Sequence, residues 1–192
     1  SKEAAHRGMF RPSFCGGRFY FTEDLMKDNI RSLVFGAAAI AVAFVLSYIK
    51  LFSMPLGGSV TLCSMLPIML YAHMYGWKKG LLCGLAYGLL QFIQKPEIYH
   101  WAQVLLDYPL AFMCLGLAGC TKNLQLGCVV GVLGRFVCHT ISGAVFFGDY
   151  TTLSGWWASM AYNGGYLLVE LVLCIILSFP VMMLLKKIPS SK

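Results

Sequence analysis

The sequence predicts an all-α integral membrane protein with six transmembrane helices and both termini cytoplasmic. Three observations carry that prediction. The 192 residues are 58% hydrophobic and only 12% charged, about half the charged fraction of an ordinary soluble domain, and the mean hydropathy is +0.70. The apolar residues form long unbroken runs, whereas the strands of a membrane barrel alternate apolar and polar residues. The cations are crowded into short islands between those runs, and mostly into alternate islands.

Each run has the length that a bilayer asks for, roughly 20 residues or fewer where a helix is short. The predicted spans are 33–49, 60–75, 80–93, 103–119, 126–147 and 160–185. The second and third are joined by Gly76, Trp77, Lys78 and Lys79, which reads as a tight hairpin with a two-lysine tip. A polar leader, or a non-native extension, is expected over 1–29, ahead of one membrane domain at 30–192; residues 1–29 lack the apolar core of a secretory signal. Twelve of the fifteen Lys and Arg fall on the side of the termini, against Lys50 and Lys95 on the other, and the positive-inside rule makes the richer side cytoplasmic. The net charge of +7 is therefore a statement of topology: scattered cations form no basic face for nucleic acid. The opposite loops hold Met54–Gly58, the aromatic cluster 99–101 and the stretch 149–157, which suits a covered pocket facing outward.

The eight cysteines contain no Cys-x-x-Cys pair, and seven lie in apolar runs, where a thiol packs as a small hydrophobe. No metal and no cofactor is expected. A Walker-type phosphate loop is also missing from the sequence, so active transport by this chain would need a partner that supplies energy.

Charges inside apolar spans are costly and usually face a cavity or the bundle interior. Asp107, Arg135, His139 and Glu170 are such residues. Gln103 precedes Asp107 by one helical turn, and Pro109 two residues later predicts a kink beside the carboxylate. Arg135, His139 and Ser142 share a face of the fifth span. Arg135 is positioned to pair with Asp107 or Glu170. Asn163, Tyr166 and Glu170 form a stripe on the sixth, for which hydrogen bonding between helices is the plainer reading, above all for Glu170. Trp156 and Trp157 read either as an interfacial belt or as stacking partners. A carboxylate, an imidazole, an amide and several rings at one end of a helical bundle suit a small aromatic solute of positive charge.

Ordered strings over about 30–187 carry a resemblance. They include Leu106-Asp107-Tyr108-Pro109-Leu110, Arg135-Phe136-x-x-His139-x-Ile141-Ser142-Gly143, Tyr162-Asn163-Gly164-x-Tyr166 with Glu170, and Tyr87-Gly88-Leu89-Leu90-Gln91. In these the sequence resembles the thiamine-specific S component of energy-coupling factor (ECF) transporters. The resemblance implies a substrate-capture subunit that binds thiamine and performs no chemistry. It implies docking on a transmembrane subunit that carries two cytoplasmic ATPases, in a prokaryotic plasma membrane. It places thiamine near the outer side, bounded by helices 4 to 6 and covered by the loop between helices 1 and 2. Asp107 and Tyr108 then stand at the family's acidic and tyrosine positions, Arg135 at a basic one, and His139 and Asn163 match directly. Phe147 replaces a tryptophan of some members, Tyr99 aligns with a loop tyrosine across a gap, and Trp157 lies near another aromatic contact. Ala37, Ala39, Ala41 and Ala43 form two small-x-x-x-small patterns in helix 1, which the resemblance assigns to docking. Two other functions fit parts of the same pattern: an S component for another vitamin or a thiamine precursor, and, remotely, an intramembrane hydrolase using Ser142 or Ser154 with His139.

Overall fold

A computed structural model of the chain describes residues 17–54 and 58–187. The chain divides into two compact units, Ser1–Val34 and Phe35–Lys192. Residues 1–16, within the expected leader, and Leu56, within the expected pocket cover, lie outside the described residues. Among the described residues the helices are, in order, α1 Gly17–Tyr48, α2 Leu66–Tyr75, α3 Trp77–Gln94, α4 Trp101–Cys120, α5 Leu124–Phe147 and α6 Leu153–Lys187. Among the described residues, four stretches are long and apolar enough to cross a membrane: Asp28–Tyr48, Trp101–Cys120, Leu124–Phe147 and Leu153–Leu185. Helix α2 has only 10 residues, about 15 Å of rise.

The second predicted span differs from expectation at its start. Residues Ser59–Thr61 form strand β2, which pairs antiparallel with β1, Lys50–Ser53, so that Phe52 faces Val60 and Ser53 faces Ser59. Met54 N–H donates to Gly58 O at 2.7 Å and closes the hairpin tip. Cys63 then turns the chain into α2 with φ of 53°, a left-handed conformation uncommon for a side-chain-bearing residue. The two-lysine tip is tighter than a loop: Gly76, at φ 89°, is the sole residue between α2 and α3. Helix α6 begins seven residues earlier than predicted and contains Trp156 and Trp157.

Two spans are irregular where they meet. Pro109 has no N–H to donate, so the turn Leu106–Leu110 of α4 widens into a π-turn, closed by Ala111 N–H on Leu106 O. The rest of α4 tightens into a 3₁₀ segment, Cys114–Cys120. Helix α5 likewise ends in a π-turn, Gly143–Phe147.

Glycines let α3 and α4 approach at backbone distance. A Cβ on Gly88 would stand 2.6 Å from Tyr108 O, and one on Gly84 would collide with Phe112 O. Gly80, one turn earlier on the same face, meets Gly116. The core beneath is built from Tyr87, Met65, Ile68, Met69, Leu115 and Leu124. Because rigid backbone would have to move, Gly84→Leu should cost about 3 kcal/mol or more, the upper end for overpacking. Thermal unfolding in detergent checks this, with Gly165→Ala as control. Nothing lies within 4 Å of a Cβ at Gly165, so that variant should keep the wild-type midpoint or exceed it.

Candidate functional site

The widened turn of α4 brings Asp107 opposite His139 on α5. Asp107 Oδ1 lies 2.9 Å from His139 Nδ1. Its Oδ2 accepts from Gln103 Nε2 at 2.7 Å and from Ser142 Oγ at 2.8 Å. Arg135 Nε donates to His139 Nε2 at 3.1 Å. With Nε2 accepting, the ring proton sits on Nδ1 and is donated to the carboxylate. The guanidinium also stacks over Phe112, its Cζ 4.2 Å from the ring centroid. Arg135 thus offsets the charge of Asp107 through an imidazole, and no direct ion pair joins them. Charge-assisted bonds of this kind are about twice as strong as neutral ones. They tie α4 to α5 at a depth where unpaired charge is expensive.

Asn163 extends the tie to α6. Its Nδ2 donates to His139 O at 3.1 Å and to Ser159 O at 3.0 Å, and its Oδ1 accepts from Tyr166 Oη at 3.0 Å. Ser159 Oγ donates to Thr140 O at 2.9 Å. The Tyr166 ring stands edge-on to His139, centroids 6.4 Å apart. Tyr108 fastens the loop that precedes α4, donating to Lys95 O at 2.7 Å and accepting from Glu97 N at 3.1 Å.

These side chains line a cavity of about 780 Å³, within the range of small-ligand sites. Of the residues singled out from the sequence, Gln103, Asp107, Tyr108, Arg135, His139, Phe147, Asn163 and Tyr166 line it. Tyr99 and Trp157 do not. Tyr99 is 68% exposed and packs edge-on against Phe147 from outside, centroids 4.7 Å apart. Trp157 is 61% exposed on α6. In α1, Ala43 is fully buried, with its carbonyl accepting from Tyr87 Oη at 3.3 Å, and Ala39 is half-buried. Ala37 and Ala41 are exposed.

The structure also adds wall residues that sequence reasoning left out. Tyr87 and Gln91, bonded at 2.6 Å, face the cavity from α3. Their signal was a polar pair four residues apart in an apolar run. Thr61 and Ser64, 2.8 Å apart, reach it from β2 and the turn after it, where no local pattern marks them. Glu170, 1% exposed, lines it as well. Its partner differs from the expected neighbouring helix: Thr61 of the hairpin donates to Glu170 Oε1. Tyr162, about two turns before Glu170 on α6, accepts with its Oη from Gly58 N–H at 3.0 Å.

Neither serine is placed as a nucleophile. Ser142 is bonded to Asp107, while His139 has one nitrogen on Asp107 and the other on Arg135. Ser154 is exposed and donates to Thr152 Oγ1. Among the described residues, no group of three or more His, Cys, Asp or Glu is arranged to hold a metal ion. Outside the spans, Asp149 orders the α5–α6 loop; its carboxyl is held below the usual range by the Thr151 hydroxyl and amide.

Comparisons with known proteins agree with this architecture. Thiamine transporter ThiT of Bacillus subtilis (strain 168) is 38% identical over 144 residues, covering 65% of this chain and 74% of that protein. Thiamine transporter ThiT of Lacticaseibacillus paracasei is 27% identical over 135 residues, covering 58% and 67%. A solved structure of ThiT from Listeria monocytogenes superposes with a TM-score of 0.72 at 25% identity, over 84% of this chain and 97% of that one. The family model for thiamine transporter proteins (Thia_YuaJ) matches residues 33–190, a stretch that contains every cavity residue named above. The chain belongs to the thiamine transporter protein family.

Proposed function

We propose that this protein captures thiamine as the S component of an ECF transporter in a prokaryotic plasma membrane. In this reading α1 to α6 are its six spans within a domain at 30–192, and both termini lie in the cytoplasm. The short α2 and the glycine-packed α3 complete the set of spans. The cavity then opens to the outside, where the hairpin between α1 and α2 covers it.

The observation that carries the reading is the cavity itself: a closed Asp107–His139–Arg135 network flanked by Tyr108, Phe147 and Tyr166. Such a wall offers rings for stacking and fixed polar groups for orientation, while its own charges are already held in place. It binds a flat aromatic solute without reorganising. The polar groups are committed to one another, which suits capture and release of an unaltered ligand.

Purified protein alone should bind thiamine saturably, as titration calorimetry would measure. Asp107→Ala strands the half-buried Arg135–His139 pair, and His139→Ala strands Asp107 and Arg135. Each should weaken binding about 100-fold, the order of truncating one partner of a hydrogen-bonded charge pair. Unchanged affinity in both would overturn the site assignment.

Docking on the transmembrane subunit falls to the Ala37 and Ala41 face, since small exposed residues four apart allow close helix approach. The ATPases reach this chain through that subunit. Ala41→Trp should keep thiamine binding and abolish ATP-driven uptake in proteoliposomes that contain the module. Full uptake by that variant would move the docking face elsewhere.

A further inference from the structure

Four amide side chains line the cavity: Gln91, Gln94, Gln103 and Asn163. Three of their oxygens are already engaged. Gln94 Oε1 meets Ser47 Oγ at 3.1 Å, Gln103 Oε1 accepts from Tyr99 N–H at 3.2 Å, and Asn163 Oδ1 accepts from Tyr166 Oη at 3.0 Å. Gln91 differs. Its Nε2 donates to Tyr87 Oη at 2.6 Å, and that hydroxyl donates to Ala43 O of α1 at 3.3 Å. A phenol has a single proton, so with Ala43 taking it the amide must turn nitrogen to Tyr87, which leaves the amide oxygen unclaimed. Among the described residues no hydrogen bond ends on Gln91 Oε1. Its place is fixed as well: Tyr87 is fully buried, and Gly84 and Gly88, two turns and one turn earlier, seat α3 against the backbone of α4.

We infer that Gln91 is a specificity-determining residue of this site, its amide oxygen the acceptor for an N–H or O–H donor of the bound ligand. The inference rests on the thiamine reading above, in which two groups of the ligand carry such a donor: the amine on the pyrimidine and the hydroxyl at the end of the side arm. A free carbonyl in a cavity is hydrated, and a ligand that displaces that water must replace its hydrogen bond or leave the acceptor unpaired. A molecule of the same shape without the donor is therefore rejected, whereas one that carries it gains a bond of fixed direction. Tyr87 holds the amide in the sense that makes this selection.

The test is a cycle in which residue and ligand are both changed, read by titration calorimetry on the full chain. The ligands are thiamine, an analogue with the pyrimidine amine replaced by methyl, and an analogue with the terminal hydroxyl replaced by hydrogen. Gln91→Met keeps the length of the side chain and removes the acceptor, so it should bind thiamine about 10-fold more weakly than wild type does. Against the analogue that lacks the contacted donor, Gln91→Met and wild type should agree within about 2-fold, while against the other analogue the loss should persist. That contrast names the donor. If Gln91→Met is not recovered folded, Gln91→Asn decides, since it withdraws the same amide by one methylene and should show the same selective loss. Thiamine binding unchanged in the variant, or weakened by the same factor for all three ligands, overturns the inference. If wild type binds none of the three, the thiamine reading itself fails, and the inference with it.

Discussion

A carboxylate at membrane depth needs a counter-charge, and in this protein the counter-charge of Asp107 is reached through a histidine. Much of the site geometry follows from that requirement. Arg135 and His139 must lie one turn apart on α5, so that a single imidazole accepts from one side and donates to the other. Asp107 must stand at the height of His139 on a different helix. The π-turn forced by Pro109 sets that height, because it adds a residue to the turn that carries the carboxylate. Ser142 and Gln103 then fill the remaining oxygen, so both oxygens of the carboxylate are bonded, which a low dielectric rewards.

The same network braces one side of the cavity, and the hairpin is tied in beside it. Helices α3 and α4 are locked at backbone distance by Gly80, Gly84 and Gly88. The β1–β2 hairpin is held against α6: Gly58 N–H donates to Tyr162 Oη, a Cβ at Gly58 would stand 3.0 Å from the Tyr166 ring, and Thr61 donates to Glu170. Val60, 4% exposed, belongs to the core. Walls packed in this way orient a ligand, because few of their contacts can yield alone.

What the sequence made legible was whatever broke a local pattern. Asp107, Arg135, His139 and Asn163 stand out because a polar residue in an apolar run has few harmless explanations, and helical spacing says which of them share a face. Gln103 and Tyr166 followed by the same rule. Contacts between distant segments were illegible. Thr61 meets Glu170 across 109 positions, so the bland interhelical reading of Glu170 could only be corrected in three dimensions. Strand β2 is three residues long, too short for periodicity to separate it from the start of a span. Trp157 and Tyr99 carried the right chemistry, but exposure on an outer surface depends on packing that no local pattern encodes.

Net charge acquires a sharper meaning at the scale of the cavity. The chain as a whole carries +7, yet the cavity lining is balanced: Lys50, Lys95 and Arg135 stand with Glu97, Asp107 and Glu170. Lys95 and Glu97 pair with each other at 2.7 Å, and Arg135 reaches Asp107 through His139. Opposite charges placed this close attract more strongly in a low-dielectric interior than across solvent and salt. Glu170 takes a hydrogen bond from Thr61 of β2, so the hairpin and α6 meet at one side chain. A change in either element is therefore felt by the other through that contact.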